Sequence, residues 1–309
     1  TYEWLDSLPS TYPDIVSLET IGSSWQGRDL KLIRFNKDWG IPKTAAFIVA
    51  NMHARERITS ATLTWIMNEL LANPVYERIL NEYDLHFLPI ANPDGLERSQ
   101  TTDRMWRKTM SDHDPEDGCI GVDPEQNFDF HWSDSGPCSS GPAPFSESET
   151  RAIADYVLEN MPQLDFKLYL NIHSFSQFVL FPWGYTATHP DDYDDLVSLS
   201  LSPIHCVEHH RGHCLEVARI TESALEERYG TQYESGTYTD LLYRILGTST
   251  DWMKGVAGIK YSYQYELRDT GEFAFLLPPD QIVPSGEETL DGLVALLDAV
   301  RERSRENAL

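Results

Sequence analysis

The run Ala45-Ala46-Phe47-Ile48-Val49-Ala50 restricts the fold more than any other stretch of this chain. Six consecutive apolar residues leave no polar face, so a strand built from them must be covered on both sides. Residues 85–91 and 166–172 read as further buried, mostly apolar strands, and residues 59–71 supply helical periodicity between the first two runs. Strands of this kind alternating with helices imply an α/β chain whose mixed, largely parallel sheet lies between helix layers. Each run stops at a polar cluster: Asn51-Met52-His53-Ala54-Arg55-Glu56, then Asn92-Pro93-Asp94-Gly95, then His173-Ser174. The carboxyl ends of strands are where open α/β sheets gather ligands, so these clusters are candidate chemistry.

The remaining elements follow in order. Residues 5–10 read as a first helix, and residues 15–21 and 30–35 as strands flanking Gly22 and Gly27. The helix over 59–71 has Thr59 or Ser60 as a cap and Asn73-Pro74 as a stop. Asn92-Pro93-Asp94-Gly95 reads as a turn, and residues 97–144 as one long irregular stretch, a length that generally marks function. Ser146-Glu147-Ser148-Glu149 has the pattern of a capping box opening a helix to Asn160. Residues 215–229 read as a helix, 259–267 as a strand and 289–301 as a closing amphipathic helix. Nothing resembling a linker divides the 309 residues.

Charge removes several function classes. With 49 acidic against 24 basic residues the formal charge is -25, which argues against nucleic acid and anionic membrane surfaces as partners. No apolar stretch approaches the length of a membrane span. The chain starts at Thr1 without a signal-peptide pattern, which reads as a processed terminus. Four cysteines fall as two local pairs, Cys119/Cys138 and Cys206/Cys214, an arrangement that suggests two disulfides, an oxidising compartment and secretion. No Asn-x-Ser/Thr acceptor for N-glycosylation occurs.

His53 and Glu56 offer an imidazole nitrogen and a carboxylate oxygen three residues apart, which a short turn can aim at one cation. Zinc takes such mixed ligands, and its catalytic sites hold three protein ligands with a fourth position open. The spacing alone is weak, because His205-Cys206-Val207-Glu208 shares it. His173 ends a buried run as His53 does, so neighbouring strands would bring it to the same rim as third ligand. Glu266 lies late in the apolar strand Tyr261-Ser262-Tyr263-Gln264-Tyr265-Glu266-Leu267, where a carboxylate is costly unless paired or engaged in chemistry.

With these residues stand Arg104-Met105-Trp106-Arg107-Lys108, Gly121-Val122-Asp123, Tyr243, Asp251-Trp252 and Tyr265-Glu266-Leu267-Arg268-Asp269-Thr270-Gly271. Together with His53-Ala54-Arg55-Glu56 and Ile172-His173-Ser174, they resemble the zinc metallocarboxypeptidases of the pancreatic carboxypeptidase A/B family over nearly the whole chain. The resemblance implies a single domain with a mixed eight-stranded sheet between helices, spanning residues 1–309 as the catalytic domain of a secreted zymogen. It implies one Zn2+ held by His53, Glu56 and His173, with Glu266 as general base and Arg107 stabilising the oxyanion. Asp123 would orient His53, Tyr243 would close over the substrate, and Arg55 would make a further carboxylate contact. Cys119/Cys138 falls where the family has a disulfide. The implied partners are peptide or protein C termini and, before activation, a prodomain; the active form is expected to be a monomer.

Two departures from the family stand out. Residues 205–214, His205-Cys206-Val207-Glu208-His209-His210-Arg211-Gly212-His213-Cys214, read as an insertion, either a disulfide-closed loop or a second metal site. The acidic residues 112–118 read as a solvated loop, with weak calcium binding as the functional alternative. The other departure is at the substrate: where the family follows Gly-Val-Asp-x with Asn-Arg to grip the terminal carboxylate, this chain has Glu125-Gln126. The expectation is a zinc hydrolase with altered terminal recognition; the alternative is a weakly active or inactive zinc-bound peptide-binding protein. Thr250 occupies the expected pocket floor, and Ser174, Phe175, Leu180, Gly184, Tyr238 and Gln264 are further pocket positions, which together favour neutral terminal side chains over Lys or Arg.

Overall fold

The computed structural model describes residues 1–116, 118–188, 190 and 217–306. Its centre is an eight-stranded sheet in the order β1-β2-β4-β3-β5-β8-β6-β7. The strands are β1 (Val16–Ser23), β2 (Asp29–Phe35), β3 (Thr44–Ala50), β4 (Tyr83–Leu88), β5 (Asp165–Ser174), β6 (Phe178–Phe181), β7 (Glu234–Thr237) and β8 (Tyr261–Leu267). The β3/β4, β3/β5, β5/β8 and β6/β7 pairs are parallel, and β1/β2, β2/β4 and β6/β8 antiparallel. The mixed sheet expected from the sequence is therefore present, with the four parallel strands β4, β3, β5 and β8 at its centre.

The described helices are α1 (Tyr2–Thr11), α2 (Arg57–Ala72), α3 (Glu77–Glu82), α4 (Pro93–Thr101), α5 (Ser148–Asn160), α6 (Val217–Glu227), α7 (Tyr238–Leu241), α8 (Ser249–Gly255) and α9 (Ile282–Glu306). The apolar run of β3 shows why helices cover both faces. Ala46, Ile48 and Ala50 pack into one core with α1, α2 and α9, while Ala45, Phe47 and Val49 pack into the other with α5 and α8. On β5 and β8 the same alternation separates apolar from chemical residues. Leu168, Leu170 and Ile172, with Tyr261, Tyr263, Tyr265 and Leu267, enter the first core. Asn171, His173, Gln264 and Glu266 therefore project from the opposite face.

Several expectations need correction. Asn92-Pro93-Asp94-Gly95 begins α4 instead of forming an isolated turn: Asn92 caps it by accepting from the Gly95 amide at 2.9 Å, and Pro93 occupies the first helical position. The capping box at α5 does not form, because Glu147 turns inward to accept from Thr109 Oγ1 at 2.6 Å and to meet His113 Nε2 at 2.8 Å. The last helix extends from Ile282 to Glu306, through Pro284 and Gly286. Strands β6 and β7 had no sequence signal, since four-residue strands such as Glu234-Ser235-Gly236-Thr237 carry too little alternation. Cys119 and Cys138 form a disulfide with Cα atoms 5.4 Å apart. Cys206, Cys214 and the whole 205–214 stretch lie outside the described residues. No helix among the described residues is long and apolar enough to cross a membrane.

Candidate metal centre and cleft

The carboxyl ends of β3, β5 and β8 lie side by side, with Ala50 beside Ile172 and His173 beside Glu266. β3 is followed by Asn51, whose φ of 57° lies in the left-handed region that Asn tolerates better than most residues. Its amide donates to Thr59 Oγ1 at 3.0 Å and its Nδ2 to the His53 carbonyl at 3.3 Å, pinning a tight turn between β3 and α2. The Ala54 amide donates to the Arg107 carbonyl at 3.0 Å, which joins that turn to the irregular stretch. His53 and Glu56 thus face His173 across the strand ends.

The three side chains point their ligand atoms at one another. His53 Nδ1 lies 2.9 Å from Glu56 Oε1 and 3.0 Å from His173 Nδ1, which in turn is 2.9 Å from Glu56 Oε2. All three residues are buried. Two imidazoles facing each other through the same nitrogen, beside one carboxylate, form a poor hydrogen-bonding arrangement but a suitable donor set for zinc. Among the described residues this is the one cluster of three His, Cys, Asp or Glu ligand atoms within 4.8 Å. Burial and Arg107 depress the His53 imidazole, but Glu56 and Asp123 outweigh them and bring it up to about 9. Burial would raise Glu56, and the two histidines instead hold it well below the usual carboxylate range.

Asp123 sits behind this group. Its Oδ1 meets His53 Nε2 at 2.9 Å and its Oδ2 accepts from Arg107 Nε at 3.0 Å. Arg107 also approaches Glu56 at 3.6 Å, so its guanidinium spans the rim of the cluster. Gly121 makes this possible: its φ is +73°, and a Cβ there would meet the Thr109 carbonyl oxygen at 2.2 Å. Burial, with Arg107 and His53 overcoming it, leaves the Asp123 carboxyl strongly depressed.

A cleft opens over the cluster, lined by His53, Arg55, Glu56, Arg107, Glu125, Ser174, Phe175, Tyr238, Tyr243, Gln264 and Glu266 among others. Burial and then the Glu56 charge push the Glu266 carboxyl up to about 8, while its contact with Gln264 Nε2 at 2.7 Å opposes the rise. Tyr243 stands at the mouth, 63% exposed. The Arg55 guanidinium lies 3.9 Å over the Phe275 ring.

Not every expected residue reaches the cleft. Gln126 turns away: its amide nitrogen donates to Asp123 Oδ2 at 3.3 Å, and its oxygen accepts from Ser135 and Ser139 at 3.2 and 3.0 Å. Thr250 is fully buried behind Tyr238, whose hydroxyl lies 2.9 Å from Thr250 Oγ1 and donates to Gln264 Oε1 at 2.8 Å. Tyr238 and Gln264 therefore form the wall, while Thr250, Leu180 and Gly184 do not line it. Glu125 lines the cleft, but its carboxylate is drawn back to Asn171 Nδ2 at 2.8 Å, the Ser249 amide at 3.0 Å and Ser249 Oγ at 3.1 Å. Asn171 went unnoticed in the sequence, although it lies two residues before His173 and period two places it on the same face. Phe275 and Ile245 carried no signal.

The zinc carboxypeptidase family model matches residues 1–292. Carboxypeptidase B of Astacus astacus is 41% identical over 307 residues, covering 97% of this chain and 94% of that protein. Carboxypeptidase A2 of Rattus norvegicus is 38% identical over 97% of this chain and 69% of that protein. Among solved structures, bovine thrombin-activatable fibrinolysis inhibitor in complex with tick carboxypeptidase inhibitor aligns with a TM-score of 0.85 at 31% identity, covering 98% of this chain and 96% of that one. Carboxypeptidase A from Helicoverpa armigera gives 0.85 at 26% identity, over 98% of this chain and 72% of that one. A His2Glu cluster at the strand ends, set in a matching fold along almost its full length, makes this chain a member of the zinc carboxypeptidase family.

Proposed function

We propose that the chain is a secreted zinc carboxypeptidase that removes C-terminal residues from peptides while gripping the terminal carboxylate less firmly than its relatives. The observation carrying this reading is the convergence of His53, Glu56 and His173 beneath a cleft that also holds Glu266, Arg107 and Arg55. Zinc at His53, Glu56 and His173 would supply a Lewis acid that polarises the scissile carbonyl and lowers the pKa of a water toward neutrality. Glu266 takes a proton from the attacking water and returns it to the leaving amine. A cation next to Glu56 offsets the negative charge that helps raise Glu266, which favours the carboxylate form required of a base. Arg107, fixed through Nε by Asp123, keeps its remaining donors for the oxyanion. Tyr243 covers the substrate from the mouth. The Cys119–Cys138 disulfide supports secretion.

The weaker grip follows from Glu125 and Gln126. Among the described residues, Arg55 and Arg107 are the only Arg or Lys side chains lining the cleft, and Gln126 is directed elsewhere. Replacing the family's arginine by Gln loses a bidentate charge-assisted contact, which costs about 1.5–3 kcal/mol or about one to two decades of affinity. The wall of Tyr238 and Gln264 carries no charge, which suits neutral terminal side chains. The test is the double change Glu125→Asn with Gln126→Arg at saturating zinc, assayed on a peptide panel with free and amidated C termini. The expected result is a rise of at least about tenfold in kcat/KM for the free acid relative to the amide. No rise would overturn the account of recognition, and absence of turnover by the zinc-loaded parent on every peptide would favour the binding-protein alternative.

A further inference from the structure

The two histidines of the cluster differ on their far sides. His53 Nε2 has its carboxylate, Asp123, at 2.9 Å. His173 Nε2 is buried and has no hydrogen-bond partner among the described residues. A histidine that ligates through Nδ1 must carry its proton on Nε2, and a buried N–H without an acceptor is costly. The carboxylate oxygen within ion-pair reach of that nitrogen is Glu125 Oε1, at 4.0 Å. We propose that Glu125 is the positioning residue for His173, accepting its Nε2–H when Nδ1 engages zinc, as Asp123 does for His53.

The local structure supports such a contact. Asp123 and Glu125 flank Pro124 in a short turn whose 3-10 segment spans Pro124–Gln126, and Asp123 Oδ1 accepts from the Glu125 amide at 3.1 Å. One turn thus presents a carboxylate toward each histidine. Glu125 Oε2 is engaged by the amide and hydroxyl of Ser249, whereas Oε1 accepts, among the described residues, only from Asn171 and keeps acceptor capacity. Closing the gap to hydrogen-bond length takes a movement of about 1 Å. No Lys or Arg pairs with Glu125 among the described residues, so an imidazole N–H on the metal side is the partner its buried charge lacks. The family's Asn at this position is neutral and makes a weaker acceptor. The inference rests on His173 being a zinc ligand and is independent of how the substrate's carboxylate is recognised.

The experiment compares the zinc-loaded parent with Glu125→Ala and Glu125→Gln, using chelator competition for zinc affinity and proton NMR of the His173 ring N–H. Glu125→Ala is expected to weaken zinc binding about 10–100-fold, with Glu125→Gln between it and the parent. The His173 Nε2 proton should shift or be lost to exchange in both, while the His53 proton stays. If Glu125→Ala does not fold, the isosteric Glu125→Gln decides. Zinc affinity within about twofold of the parent, with the His173 proton unmoved, overturns the proposal. A changed acid-to-amide ratio with unchanged zinc affinity overturns it and leaves the recognition reading standing; weakened zinc with an unchanged ratio upholds it and removes that reading.

Discussion

Asp123→Asn is the change whose consequences the structure specifies most completely. The carboxylate is 6% exposed and serves two partners through separate oxygens, His53 Nε2 at 2.9 Å and Arg107 Nε at 3.0 Å. Asparagine keeps the volume but offers one acceptor. Whichever way the amide turns, an NH2 faces one of two donors. At least one charge-assisted hydrogen bond is lost, about 1.5–3 kcal/mol, and a donor-donor clash replaces it. If the amide oxygen stays with Arg107, zinc affinity should fall about 10–100-fold because the His53 ring loses its orientation. If it stays with His53, zinc is retained and the loosened guanidinium lowers kcat by a comparable factor, below the loss expected from deleting a fixed oxyanion donor outright. Chelator competition followed by kinetics at saturating zinc separates the two cases. Arg107 and His53 hold the Asp123 carboxyl strongly depressed, so the parent's contacts persist as pH falls through the ordinary carboxylate range and the deficit should not vary there. Zinc affinity and kcat both within about twofold of the parent would refute the reasoning.

Three further outcomes are expected. Metal analysis should find one zinc per chain, and His173→Ala should abolish stoichiometric binding; full occupancy in that variant would remove His173 from the ligand set. Glu266→Gln should retain zinc and fold while turnover falls by about two to four orders of magnitude, and unchanged turnover would exclude Glu266 as the base. Glu149→Gln probes stability. Burial, assisted by Glu147 and Asp94, pushes Glu149 from 4.5 up to about 7. The folded protein therefore holds a proton between those values that the unfolded chain releases, and stability declines as pH rises through that window. The glutamine variant should lack this decline and gain on the order of 3 kcal/mol over the parent above pH 7, read from unfolding curves at pH 5 and pH 8. Parallel pH profiles for variant and parent would contradict it.

The sequence announced the site where local pattern and sheet geometry coincide. His53-Ala54-Arg55-Glu56 was legible because it follows six apolar residues, and His173 and Glu266 because they end or nearly end buried strands. Parallel neighbours β3, β5 and β8 then bring those ends together with no help from distant loops. The wall of the cleft was less legible. Thr250 was expected at the floor, but the Tyr238 hydroxyl binds both Thr250 on α8 and Gln264 on β8, closing that floor off. Likewise, no local feature says that Gln126 turns toward Ser135 and Ser139, since Ser135 lies within the loop closed by the Cys119–Cys138 disulfide and Ser139 just past it. Side-chain direction in an irregular stretch depends on contacts remote in sequence. In strands the period-two rule supplies it, which is why Asn171 could have been found and Phe275 could not.

The substitution at residues 125 and 126 joins the recognition proposal to the metal-positioning one. Exchanging Asn-Arg for Glu-Gln removes one positive charge and adds one negative charge within a single turn whose first carboxylate already contacts His53. The same change acts with opposite sign on two ligands. It lowers the attraction for a substrate carboxylate and raises the attraction for a divalent cation, in a cleft where burial limits screening. Glu125 is drawn toward Ser249 and Asn171, away from open solvent, which biases its effect toward the metal side. Glu125→Asn with Gln126→Arg should therefore improve discrimination for free acids over amides while loosening zinc, so the two effects trade against each other in one molecule. Measuring both on the same preparation gives the sign of each. If zinc affinity and acid preference rise together, charge at this turn does not govern the site, and the geometry of Ser249 and Asn171 must do so instead.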